Sequence, residues 1–169
     1  MIVNGRTAEA FEAIAALRAR DASDLRPLLL EAYLRLQIHE YTQAAVLSQA
    51  ILEKDPWSVE ACLLLGLLAK QRDDNNDAVT WFKRAIYAKP DCWPAHFYLG
   101  ELLRVAGEAD QARREYRVTL LQMGTDADPD GGLLLPLRLP VGDIRFLCNL
   151  RVGSADDVPD RLFSVRGKR

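Results

Sequence analysis

The chain has 169 residues, 49% of them hydrophobic and 27% charged, with a net charge of −2 at neutral pH; this suffices for one packed core or one short repeat array and excludes a basic nucleic-acid-binding footprint over the whole chain. No apolar run reaches the roughly 18 to 20 residues of a membrane span, and "MIVNGRTAEA" lacks the basic, apolar and small-residue succession of a signal peptide, so membrane insertion is not expected and the cytoplasm is the expected compartment. Three widely spaced cysteines, Cys62, Cys92 and Cys148, form neither a C-x-x-C pair nor an even disulfide framework and read as buried thiols.

In chain order, residues 1–24 read as a capping helix, because Ala10, Phe11, Ile14, Ala15 and Leu17 recur at helical spacing. A repeat then begins. Displacing the sequence by 34 residues brings Ala44 onto Ala78, Pro56 onto Pro90, Leu65 onto Leu99, Gly66 onto Gly100, Ala78 onto Ala112 and Phe82 onto Tyr116. That period is the length of a tetratricopeptide repeat, a pair of antiparallel helices. Three copies follow, residues 25–58, 59–92 and 93–126.

The first copy is the most degenerate, with Ala32 at the glycine position and Ser48 at the aromatic one; Asp24 reads as its N-cap and Pro27 falls in the first turn. In the second, Cys62, Leu65, Gly66 and Ala69 share one helix face, and Ala78, Phe82 and Ala85 the facing one, with Pro90 ending the pair. In the third, "CWPAHFYLGELLRVAG", Pro94 belongs to a first helical turn, where its missing N–H has no intrahelical partner. Gly66 and Gly100 read as notches that let an aromatic from the partner helix approach, and Gly107 as the turn between helices.

After Met123, "GTDADPDGG" reads as a turn-rich linker and "LLLPLRLP" as an extended segment lying on the protein. Residues 143–150 suit a short helix presenting Ile144, Leu147 and Cys148, and little fixed structure is expected beyond Gly153. Residues 127–169 are thus a linker and C-terminal extension, partly disordered. From Leu133 onward there are seven basic and four acidic residues, a net +3 against −5 for the rest. The expected fold is all-α: tetratricopeptide helix-turn-helix repeats stacked as a short right-handed solenoid, with an N-terminal capping helix and the C-terminal extension.

No catalytic constellation, cofactor loop or metal set emerges. His39 and His96 are not in ligand spacing, Glu40 beside His39 has no nucleophile in register, and the acidic residues from Asp73 to Asp77 read as caps and turn residues. "DPDGG" lacks the spaced oxygen ligands of a calcium loop. Function is expected instead on the concave surface formed by the first helix of each pair. In the repeat geometry Arg26, Leu29, Leu30, Tyr33 and Leu36, then Glu60, Leu63, Leu64, Leu67 and Lys70, then Pro94, Phe97, Tyr98, Glu101 and Arg104 point that way. Of these, Leu29, Tyr33, Leu36, Glu60, Leu63, Leu64, Leu67, Lys70, Phe97, Tyr98, Glu101 and Arg104 are the expected partner-binding residues. The lining is apolar and aromatic, and Leu29, Tyr33 and Leu64 stand where Lys and Asn would clamp a peptide's terminal carboxylate. Leucines 63, 64, 65, 67 and 68 surround one helix, so either a partner or the chain's own 133–139 segment must cover the groove. The 133–150 region is expected either to close the end of the third repeat or to occupy the concave surface.

The run "FKRAIYAKPDCWPAHFYLGELLRVAGEADQARREYR" resembles more than a generic tetratricopeptide. Arg84-Ala85-Ile86-Tyr87, Pro90-Asp91, the 95–100 stretch Ala-His-Phe-Tyr-Leu-Gly, Gly107 and Ala112-Arg113-Arg114 are similar to the repeat extensions of CheR-type chemoreceptor methyltransferases, over about residues 57–123. This implies a regulatory, non-catalytic protein-interaction module in bacterial signalling, its partner a receptor, methyltransferase domain or other signalling protein, and no nucleic acid. A small cytoplasmic tetratricopeptide chaperone of a secretion system is the alternative.

Overall fold

The computed structural model describes residues 2–153; the expectation of little fixed structure beyond Gly153 lies outside the described residues. Within them are eight helices and no strand: α1 (Ile2–Arg20), α2 (Arg26–Gln37), α3 (Tyr41–Lys54), α4 (Val59–Gln71), α5 (Asn75–Ala88), α6 (Trp93–Val105), α7 (Ala109–Met123) and α8 (Val141–Gly153). Helices α2 and α3, α4 and α5, and α6 and α7 pack as hairpins, and each hairpin leans on the next through α3 with α4 and α5 with α6. Helix α1 covers α2, and α8 packs on α7. This is the paired stacking of a tetratricopeptide-type solenoid.

The hairpins close because their contact faces lack bulk. An ideal Cβ built on Gly66 would lie 2.6 Å from the Phe82 ring, and one on Gly100 would lie 2.9 Å from the Tyr116 ring. Phe82 and Tyr116 are fully buried in those notches, with Ala69, Ala78, Ala85 and Ala112 around them. In the first repeat Ala32 faces a smaller partner, Ser48, whose hydroxyl is satisfied by donating to the Ala44 carbonyl at 2.8 Å. All three cysteines are free and buried, and burial pushes the Cys92 and Cys148 thiols up to about 11.

Helix ends follow the local chemistry. Pro27 and Pro94 occupy first turns, the Ser58 hydroxyl accepts the Ala61 N–H at 3.3 Å, and the Asp74 carboxylate accepts the Asp77 N–H at 3.1 Å. Asp24 differs from expectation by one place: Leu25 is the N-cap of α2, while the Asp24 carboxylate accepts the Arg26 N–H at 2.9 Å and pairs with its guanidinium. It still meets an amide that the helix leaves open, from one residue further out.

The three turns inside the repeats share one geometry. His39, Asp73 and Gly107, 34 residues apart, all have left-handed backbones, with φ of 65°, 57° and 83°. The next amide in each case, of Glu40, Asp74 and Glu108, reaches back five residues to the carbonyls of Arg35, Ala69 and Leu103 at 2.9, 3.0 and 2.9 Å. The left-handed residue's own N–H bonds three residues back, to Leu36, Lys70 and Arg104. This is the Schellman closure, which satisfies carbonyls at a helix C-terminus. Between repeats, Pro56 and Pro90 lead the chain into the next first helix; at the third such position stands Gly124, with φ 56° and ψ −154°. There the chain leaves the array.

Candidate functional site

The concave surface is built on α2, α4 and α6. Tyr33, Leu36, Leu67 and Tyr98, all expected groove residues, converge there and line an open pocket of about 220 Å³ with Gln37 and Gln71 at the ends of α2 and α4, His39 in the turn after α2 and Tyr41 at the start of α3. Tyr98 stacks on Phe82 with ring centroids 5.4 Å apart, Phe97 tilts against Tyr98, and the Lys70 ammonium sits 5.2 Å from the Tyr98 ring centre. Burial, reinforced by the nearby Tyr33, pushes the Tyr98 phenol up to about 12, and burial alone lowers Lys70 from its ordinary range.

The remaining wall of that pocket is Leu137 and Leu139, from the chain's own extension. Residues 128–139 close on themselves first. The Asp128 carboxylate accepts the Asp130 and Gly132 amides at 3.0 and 3.1 Å, the Asp130 carboxylate accepts the Arg138 N–H at 2.7 Å, and the Leu139 N–H donates to the Pro129 carbonyl at 2.9 Å. The loop then docks. Glu60 accepts the Leu134 N–H at 3.1 Å, and the Tyr33 hydroxyl donates to the Pro136 carbonyl at 3.1 Å. Leu135 is 1% exposed and joins the main core cluster. Gly131, at φ 66°, lies so close to α6 that a Cβ would stand 2.4 Å from Pro94 Cγ. Backbone groups and small or apolar side chains therefore make this contact.

The two possibilities left open by the sequence are both realised, by different parts of the extension. Residues 128–139 occupy the groove, while α8 closes the third repeat with Ile144 and Cys148 buried and Leu147 partly so. Near the end of α8, Arg151 pairs with Glu101, donates to the Tyr116 hydroxyl at 3.2 Å and lies over the Tyr116 ring, while that hydroxyl donates to Glu101 at 2.8 Å. Glu101, an expected partner residue, is thus engaged by the cap, with Arg104 3.7 Å away on its other side. Leu29, Leu63 and Leu64 are buried in the array, and Leu65 and Leu68 with them.

Sequence reasoning missed two polar groups. His96 is 7% exposed, its Nδ1 2.6 Å from a Glu115 carboxylate oxygen and its Nε2 2.9 Å from the Pro90 carbonyl. Burial works against the charged ring, but the Glu115 hydrogen bond, the Pro90 carbonyl and the Glu115 charge together raise its pKa above the ordinary value. The other is Trp93, buried with its indole N–H lacking an acceptor among the described residues, and beside Gly131. Among the described residues no group of three or more His, Cys, Asp or Glu is arranged to hold a metal, and no helix is long and apolar enough to cross a membrane.

Fold and groove together define a tetratricopeptide-like repeat protein. No protein-family model matches the chain, and no curated protein does. Among solved structures it is similar to the type III secretion translocator chaperone SycD of Yersinia enterocolitica, with TM-score 0.62 and 17% identity over 78% of this chain and 87% of that one. SycD in complex with a peptide of the translocator YopD gives 0.59 and 17%, over 73% and 91%. A MamA crystal structure gives 0.61 and 20%, over 89% and 86%. At such identities the likeness is one of fold. None of these findings supports the resemblance to CheR-type repeat extensions.

Proposed function

We propose that the chain is a non-catalytic interaction module that holds an extended, leucine-bearing segment of a partner protein in its concave groove, as a small tetratricopeptide chaperone or adaptor does. The observation that carries this reading is the groove's contact with residues 128–139: it accepts an extended segment through main-chain hydrogen bonds to Tyr33 and Glu60 and through apolar packing, with room left beside Leu67 and Tyr98. The fold shared with SycD, solved with a translocator peptide, supports it further. The test is site-specific photo-cross-linking in the native cell, with the cross-linking residue at position 98 in the groove or at position 87, whose side chain is 75% exposed. A discrete adduct from 98 that is absent from 87, mapped to an apolar extended stretch of one protein, is the expected result. Adducts from both positions or from neither overturn the reading.

The narrower role, regulation of a CheR-type chemoreceptor methyltransferase, rests on the resemblance of residues 57–123. A methyltransferase domain encoded next to this chain, and recovered as the position-98 adduct, is what that role requires.

A further inference from the structure

The extension's loop has the features of a ligand rather than of filler. It is self-bracing through Asp128 and Asp130, it presents one main-chain N–H and one carbonyl to groove side chains, and it sends Leu135 into the core. It is also an imperfect ligand. Trp93, next to Gly131, keeps a buried N–H without an acceptor among the described residues, and the pocket beside Leu137 and Leu139 stays open. A buried donor left unpaired costs free energy that a better-matched occupant would recover. The groove thus holds an occupant that leaves part of the available binding unused.

We propose that residues 128–139 are an intramolecular ligand that keeps the groove shut, and that the partner displacing it is an extended segment of the same chemistry, with leucines alternating around a proline and a carbonyl able to accept from Trp93. The proposal rests on the groove reading above and adds to it the competition and the pattern of the partner. Main-chain recognition by Glu60 and Tyr33 explains why an extended segment fits and a helix does not, because a helix has its N–H and C=O groups already engaged.

Gly131→Ala, in the full-length chain, tests this without substituting any residue of α2, α4 or α6. A methyl there meets Pro94 and must adopt a left-handed backbone, so it unseats the loop. Leu135→Asp unseats it by a second route. The probe is a fluorescein-labelled synthetic peptide of residues 128–140, followed by polarisation, with circular-dichroism melts showing that each variant is folded. Wild type is expected to bind weakly and both variants at least about tenfold tighter, with Tyr33→Phe in the Gly131→Ala background weakening binding again. Equal affinity in wild type and both variants overturns the proposal, as does failure of either folded variant to bind. If the variants fail while the position-98 cross-link persists unchanged, self-occlusion falls and the groove reading stands; if that cross-link is also missing, both fall.

Discussion

At Gly66 the hydrogen in place of a side chain decides how closely α4 and α5 approach, since a Cβ would lie 2.6 Å from the ring of the fully buried Phe82, itself stacked on Tyr98. Gly66→Leu is expected to cost about 1–3 kcal/mol by overpacking, even though leaving glycine gains up to roughly 1 kcal/mol of helix propensity. Urea denaturation reads this as a lower midpoint with unchanged slope; an unchanged midpoint would refute the notch. His96 gives a pH signature. Both ring nitrogens face acceptors, so the ring is held as a double donor and its pKa is raised. A raised folded-state value means the stabilisation is complete below the ordinary imidazole pKa and is lost as pH rises through the folded one. Stability should therefore decline in wild type as pH rises above the ordinary imidazole value of about 6.5 and decline less in His96→Gln, and matching slopes in the two would show that the ring is not the source.

At the scale of elements, the third repeat ends differently from the first two. Where Pro56 and Pro90 steer the chain into another helix, Gly124 adopts a φ of 56° with ψ of −154°, a combination open essentially to glycine alone. Gly124→Ala is expected to cost about 1–3 kcal/mol. Gly142, in the first turn of α8 with nothing within 4 Å of its virtual Cβ, provides the opposite sign: Gly142→Ala should be neutral or stabilise by up to about 1 kcal/mol. Thermal melts of the pair check both, and a stabilised Gly124→Ala would contradict the backbone conformation described. The turns inside the repeats carry a related lesson. The glycine at 107 marks a left-handed position, and counting back 34 residues puts Asp73 and His39 in that conformation too, a signal present in the sequence but hidden because only one copy keeps the glycine.

For the molecule as a whole, the paired helices, both glycine notches and the N-terminal helix were legible because they obey local rules of period, bulk and capping that each copy states again. The groove was legible in part. Tyr33, Leu36, Leu67 and Tyr98 meet as the repeat geometry implies, but Glu101 belongs to the cap, because its partner Arg151 is 50 residues away and no periodicity links them. Nor did "LLLPLRLP" declare its place, since an apolar strip with two prolines fits any apolar surface, and only the contacts with Glu60 and Tyr33, together with the close approach of the preceding Gly131 to Pro94, fix it to the concave one. Held at one end by α7 and at the other by α8, that strip acts at an effective concentration on the order of millimolar. Were its affinity as a free peptide on the order of 10 µM, the groove would stand open in about one molecule in a hundred, and any competitor would see its own affinity reduced about a hundredfold. Such a protein ignores scarce or weakly matched chains and engages only those that are abundant or closely fitted, a threshold set jointly by the tether that concentrates the strip and by how well the strip itself fits the pocket.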